Sequence, residues 1–280
     1  MKIGVVAPAS RIDPALAEKV RGLAERTYAD RIALHFHPQC YLSCGHFAGD
    51  DETRASAFLE IANDPRFDAL WIARGGYGSA RILDRVLPRL SEAARKKSYL
   101  GYSDAGFLLG ALYANGFEQV VHGPMPADIL RDGGEAAVLR ALSWLAEKSA
   151  AALEPGLANT PSAAFNLTVL SHLVGTPYLP KLDGHVLLLE EVSEHMYRID
   201  RAFFHLTSSP ALKGIVGIRL GRCSDIPPND RDFGQGEEDI ARHWCAHAGI
   251  AYLGRADIGH DVENKIVPFG PGTADALVRD

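Results

Sequence analysis

Five short apolar runs, each closed by a polar turn, recur through the first 125 residues: "IGVVAP", "RIALHFH", "FDALWIAR", "KSYLGYS" and "EQVVHGP". Between them, "PALAEKVRGLAERT", "DETRASAFLEIAND", "SARILDRVL" and "AGFLLGALYANG" carry apolar residues at helical spacing. Asp50 or Asp51 caps the second helix, and Gly116 stands at the C-terminal glycine position of the last. Strands that alternate with helices pair in parallel through right-handed crossovers. The alternation therefore predicts an α/β layer, a mostly parallel sheet with flanking helices in the Rossmann or flavodoxin manner. Ligands of such sheets bind beyond the carboxyl ends of the strands, where this chain puts "PAS", "RGGYG", "YSD" and "HGPM".

The second half has a different texture. The helical "GEAAVLRALSWLAEK" runs into the Ala/Pro/Gly/Ser-rich "SAAALEPGLANTPSAA". The β-like runs "HVLLLEEV", "GIVGIRL" and "IAYLGRADIG" follow, set apart by longer polar loops. The expected organisation is an N-terminal α/β domain over 1–135, a helix and linker over 136–163, and a smaller, mixed, β-rich C-terminal domain over 164–280.

A net charge of -6 with no basic stripe argues against nucleic acid as a partner. No apolar run reaches the roughly 18 residues of a membrane span, and "MKIGVVAPAS" enters a strand-like run with no signal-peptide pattern, so a cytoplasmic protein without a membrane partner is expected. Four cysteines are too few to staple a chain of 280 residues, and reduced, buried thiols are expected. Cys40, Cys44 and His46 have the look of part of a zinc site, but no second ligand cluster answers them, so neither metal nor cofactor is assigned.

Chemistry concentrates in two turns. "RGGYGSAR" starts like a dinucleotide-binding loop, yet Arg81 occupies the third glycine position and the turn follows the third strand, not the first. Its glycines suit bare backbone N–H groups aimed at a carboxylate or an oxyanion, or a plain tight turn. In "GYSDAG", Ser103 has small neighbours, as a strained nucleophile turn requires; Ser103 or Asp104 capping the following helix is an equally good reading. A nucleophile needs a base and an acid. His260, in "ADIGHDVENKIVPFG", and His122, in "VVHGPM", both follow strands; His243 and His247 share a helix face without the Glu of a zinc-protease motif. Glu190 ends "HVLLLE", where a carboxylate can orient an imidazole, although a solvated strand end is the plainer expectation for Glu190 and Glu191.

Five blocks in the same order, "ARGGYGSARILDRV", "GYSDAGFLLGAL", "HGPM", "NLTVLSHLVGTPYLPKLDGHVLLLEEVSEHMYRIDRAFFHL" and "GHDVENKIVPFG", resemble the LD-carboxypeptidases, serine peptidases that trim peptidoglycan tetrapeptides. The resemblance implies a homodimeric hydrolase acting on murein peptides, with a triad of Ser103, Glu190 and His260 divided between two domains. The oxyanion would be held by the backbone N–H groups of Asp104 and of the Gly75–Gly76 turn, and the substrate's free carboxylate by Arg74 or by backbone amides of the same turn. The chain departs from the family pattern in having Glu191 where Asp is usual, Ala105 and Gly106 where an aliphatic residue and Thr are usual, and Ala164-Phe165 where "GG" is usual. The latter two departures are expected to reshape the pocket. Competing readings are the same triad acting on an acyl-aminoacyl-nucleotide, as in microcin-immunity peptidases, and a non-catalytic binder of an anionic small molecule.

Overall fold

The computed structural model describes residues 1–157 and 160–271. The five expected strands form as β1 (Lys2–Val6), β2 (Ala33–Phe36), β3 (Ala69–Ile72), β4 (Ser98–Gly101) and β5 (Val120–His122), parallel to one another. Along each central strand, successive side chains serve opposite cores, as a sheet covered on both faces requires. Leu70, Ile72, Tyr99 and Val120 face one core, and Trp71, Leu100 and Val121 the other.

Helix α1 (Pro14–Tyr28) is capped by Asp13, and α2 (Asp51–Asn63) by Asp50, whose side chain accepts from Thr53 N at 2.7 Å. The expected helix after the glycine turn is broken into a 3-10 turn, the short α3 (Leu83–Val86) and a second 3-10 turn holding Pro88, which has no N–H to continue a helix. A further single turn, α4 (Glu92–Arg95), precedes β4, and α5 (Gly106–Ala114) follows it. Helix α5 ends at Asn115 before Gly116, left-handed at φ 77°. Helix α6 (Gly134–Glu147) packs with α1 on one face of the first sheet.

The second half forms the expected β-rich part. Its strands β6 (Ser162–Asn166), β7 (Val186–Val192), β8 (Gly217–Ser224) and β9 (Ala251–Arg255) make one sheet that is parallel throughout. One expected loop holds a helix, α8 (Met196–Ser208); α9 (Glu237–Ala248) is the helix that carries His243 and His247, and α7 (Leu167–Leu173) connects β6 towards β7. Met196, Ile199, Phe203 and Leu206 are buried at the spacing of an amphipathic helix, a period already present in the sequence. Strand β6 takes Ser162 and Ala163 from the stretch expected as linker.

One apolar core runs continuously from the α2, α3 and α5 side of the first sheet into α7, α8 and α9. The chain then returns: β10 (Val267–Pro268) adds antiparallel to β5, and Gly270 exchanges two 2.9 Å backbone hydrogen bonds with Ser162 of β6. This return carries the segment after β9 across to the carboxyl ends of β4 and β5.

Candidate active site

Strand β4 ends at Gly101, Tyr102 is extended, and Ser103 turns the chain with φ 61° into α5. A left-handed serine is uncommon and costs on the order of 1 kcal/mol, so the surrounding packing has to impose it. Small neighbours are needed, because a Cβ on Gly101 would stand 3.0 Å from Ile72 and 3.1 Å from Ala105 Cβ. Neither alternative reading of the turn as a helix cap holds, since no side chain caps this helix start. The Asp104 carboxylate points back instead, accepting from Gly78 N at 3.3 Å and Ser79 N at 2.9 Å, so it pins the glycine turn.

Ser103 Oγ lies 2.9 Å from His260 Nε2, and His260 Nδ1 lies 2.6 Å from Glu190 Oε2. Glu190 is completely buried and accepts through Oε2 the proton carried on Nδ1, which leaves Nε2 as the acceptor facing the serine. Burial alone disfavours an imidazolium at His260, but the Glu190 carboxylate outweighs it and raises the pKa above the ordinary 6.5.

The loop that bears His260 is held from both sides. Arg222 on β8 clamps Asp257 and Asp261, and Arg140 on α6 donates to the carbonyls of Val262, at 2.7 Å, and Asn264, at 3.0 Å. Asn264 Oδ1 accepts from Gly259 N and from His122 Nε2, both at 3.2 Å. His122 therefore braces the base and is itself fully buried, and burial holds its pKa down to about 4. Beneath the His260 ring, at 4.8 Å between centroids, Tyr102 donates to Asp128, which Arg131 also engages.

The glycine turn closes the other side. A Cβ at Gly75 would fall 2.9 Å from both Cβ and Oγ of Ser103, and one at Gly76 would fall 2.3 Å from Ser10 Oγ. Backbone N–H groups of Gly75, Gly76 and Asp104 have no acceptor among the described residues, and Arg74 is exposed and makes no ion pair among them. The structure thus gathers Ser103, Glu190, His260, Asp104 and the Arg74–Gly76 turn at the carboxyl ends of β3, β4 and β7. His243 and His247, in contrast, flank Trp244 on the exposed face of α9. Cys40 and Cys245 are buried, Cys223 is half-buried and Cys44 is exposed; all four are free thiols, so burial does not extend to every one of them.

Residues 3–123 match the LD-carboxypeptidase N-terminal domain, and residues 162–273 the LD-carboxypeptidase C-terminal domain. The chain belongs to the LD-carboxypeptidase family. A murein tetrapeptide carboxypeptidase of Pseudomonas aeruginosa is 26% identical over 96% of this chain and 91% of its own. Two solved structures share the fold. A muramoyltetrapeptide carboxypeptidase from Oxalobacter formigenes superposes with TM-score 0.78 at 22% identity, covering 96% of this chain and 93% of that one. The microcin C7 self-immunity protein MccF, in complex with aspartyl sulfamoyl adenosine, gives TM-score 0.77 at 17% identity, covering 96% and 91%.

Membership in the LD-carboxypeptidase family gives meaning to the departures. Phe165 and Ala164 are buried in the core, not exposed in a pocket, and Phe165 Cδ1 stands 3.6 Å from where a Cβ on Gly106 would lie. A small residue on α5 thus faces a large one on β6. Glu191 is no solvated strand end either: it is buried and accepts from Asn166 Nδ2, Thr168 N, Thr168 Oγ1 and Val192 N, tying β7 to the start of α7. Sequence reasoning missed Arg54, which is fully buried and donates to the carbonyls of Pro8 and Gly78, joining the turns after β1 and β3. Its signal was a charge on the apolar stripe of α2 with Phe58 and Ile61.

Proposed function

We propose that this chain is a serine carboxypeptidase that hydrolyses the L,D-peptide bond before the terminal D-alanine of murein tetrapeptides. The observation that carries the reading is the unbroken relay from Ser103 Oγ through His260 to Glu190, at 2.9 and 2.6 Å. Ser103 attacks the carbonyl carbon while His260 Nε2 takes its proton, and Glu190 stabilises the imidazolium without itself becoming protonated. Collapse of the tetrahedral intermediate breaks the C–N bond, and His260 returns the proton to the departing amine of D-alanine. Water, deprotonated by the same His260, then opens the acyl-enzyme.

The oxyanion is assigned to the N–H groups of Asp104 and of the Gly75–Gly76 turn, where loss of one donor typically costs about a hundredfold or more. Arg74 is assigned to the terminal carboxylate, a role suited to an exposed guanidinium that makes no ion pair among the described residues and directly precedes Gly75. Peptidoglycan recycling in the cytoplasm by a homodimer is the setting that accompanies this reading.

The test is release of D-alanine from L-Ala-γ-D-Glu-meso-diaminopimelyl-D-Ala, with Ser103→Ala beside the wild type. Loss of release in the folded variant is the expected result; release that persists in it removes the nucleophile assignment. A second reading, cleavage of an aminoacyl-nucleotide, draws on one observation: Tyr77, 54% exposed, forms an aromatic cluster with His46 and Phe47 next to the glycine turn. An aminoacyl sulfamoyl adenosine that is bound tightly by a chain releasing no D-alanine would favour it.

A further inference from the structure

A cavity of about 480 Å³ opens at the opposite end of the first sheet, beside the amino ends of β4 and β5. Ser98 opens β4, whose far end carries Ser103; at about 3.3 Å per residue the two ends are roughly 15 Å apart. Where Lys148 meets β4 and β5, the acceptors are used and donors are left. Lys148 Nζ donates to Ser98 Oγ at 3.1 Å, and Ser98 Oγ in turn donates to Gln119 Oε1 at 2.7 Å. Two N–H bonds of Lys148 and the amide N–H groups of Gln119 are left over among the described residues. Lys96 adds an exposed ammonium, and buried Lys97 is tied to the carbonyls of Asp64 and Phe67 at 2.7 and 2.6 Å.

Two carboxylates also line the cavity, and neither meets Lys148. Asp68 accepts from Lys2 N, at 2.6 Å, and Glu92, 91% exposed, faces Arg95. The Lys148 ammonium also stands 5.3 Å from the centre of the Trp144 ring. Burial lowers the pKa of this lysine, with no carboxylate to offset it.

Backbone geometry supplies an independent reason to look here. Lys148 follows α6 in the left-handed conformation, φ 50° and ψ 39°, at a place where helices ordinarily put Gly or Asn. A lysine held in a strained conformation, half-buried and without a counter-ion among the described residues, marks a side chain kept for something other than ending the helix.

The geometry points to a binding site for a small polyanion, a phosphate ester or a polycarboxylate, held by Lys148, Gln119 and Lys96, separate from the serine site. Binding and thermal melts of the full chain, with inorganic phosphate and with citrate against sodium chloride at matched ionic strength, test it. Saturable stabilisation by at least one oxyanion is expected, with affinity weakened about tenfold or more in Lys148→Gly, the size of one charge-assisted hydrogen bond. A response to phosphate alone assigns the phosphate class, and to citrate alone the polycarboxylate class. Without ligand, Lys148→Gly should melt at or above the wild type, because glycine fits the left-handed position. Oxyanions acting no better than chloride, or binding unchanged in both Lys148→Gly and Lys148→Asn, would overturn the site. A ligand-free Lys148→Gly that melts well below the wild type would overturn it too, making Lys148 a structural prop.

Discussion

His260 Nδ1 meets Glu190 Oε2 at 2.6 Å on the far side of the imidazole from Ser103, joining the loop after β9 to β7, an inner strand of the second sheet. Because this carboxylate raises the pKa of His260 above 6.5 against the effect of burial, the acid limb of kcat/KM is expected above pH 6.5. The stabilisation linked to His260 is complete below its unfolded pKa and is lost as pH rises through the folded one. In Glu190→Gln the limb should move down and kcat should fall about 10²–10⁴-fold, read from the pH profile of D-alanine release. An unmoved limb would mean that Glu190 does not set the imidazole's charge.

The glycine at 75 is required by distance. Its φ is not left-handed, so Gly75→Ala keeps the backbone, but the new methyl must displace the Ser103 side chain 2.9 Å away. Turnover is expected to drop about a hundredfold while stability changes by no more than about 1–3 kcal/mol. Ser103→Gly is the converse case: activity should vanish while melting temperature rises, by the equivalent of about 1 kcal/mol, as the left-handed strain at φ 61° is relieved.

Gly106 and Phe165 should behave as a pair. Gly106→Thr drives a branched side chain against Val169 Cγ1, 3.1 Å from the new Cβ, and towards Phe165, at a cost of about 1–3 kcal/mol. Phe165→Ala leaves a cavity costing about 3–5 kcal/mol. In denaturant titrations the double variant should be less destabilised than the sum, by about 1 kcal/mol. Strict additivity would show that the two positions do not share space.

Neutral His122 makes the fold sensitive to acid. Its pKa of about 4 in the folded chain lies below the usual 6.5, so the unfolded chain binds the proton first and stability falls as pH drops from about 6.5 to 4. The loss is on the order of 3 kcal/mol. His122→Gln keeps a donor for Asn264 and should flatten that part of the stability curve; an unchanged curve assigns the acid sensitivity elsewhere.

The five parallel strands of the first sheet were legible because each announces itself locally, by an apolar run and a polar turn, and α2 carries its cap in the sequence. Helix α8 lies where a polar loop is expected, although Met196, Ile199, Phe203 and Leu206 stand at helical spacing. Charged residues between them hid the stripe. Roles that rest on burial were the hardest to see. Arg54, His122 and Asn264 are ordinary polar letters in sequence, and only packing against neighbours remote in the chain makes them braces.

Sequence by itself determined the alternation that builds the first sheet and the co-linear motifs that name Ser103, Glu190 and His260, since these depend on residue type and short spacing. Tertiary structure alone decided that the three meet. Ser103 and His260 are 157 positions apart, and they reach 2.9 Å only because β10 pairs back onto β5 and draws the His260 loop across two sheets. It also decided which of two adjacent glutamates faces the imidazole: Glu190 does, while Glu191 is held by Asn166 and Thr168, a division set by the alternation of side chains along β7 and the packing of α7 against it.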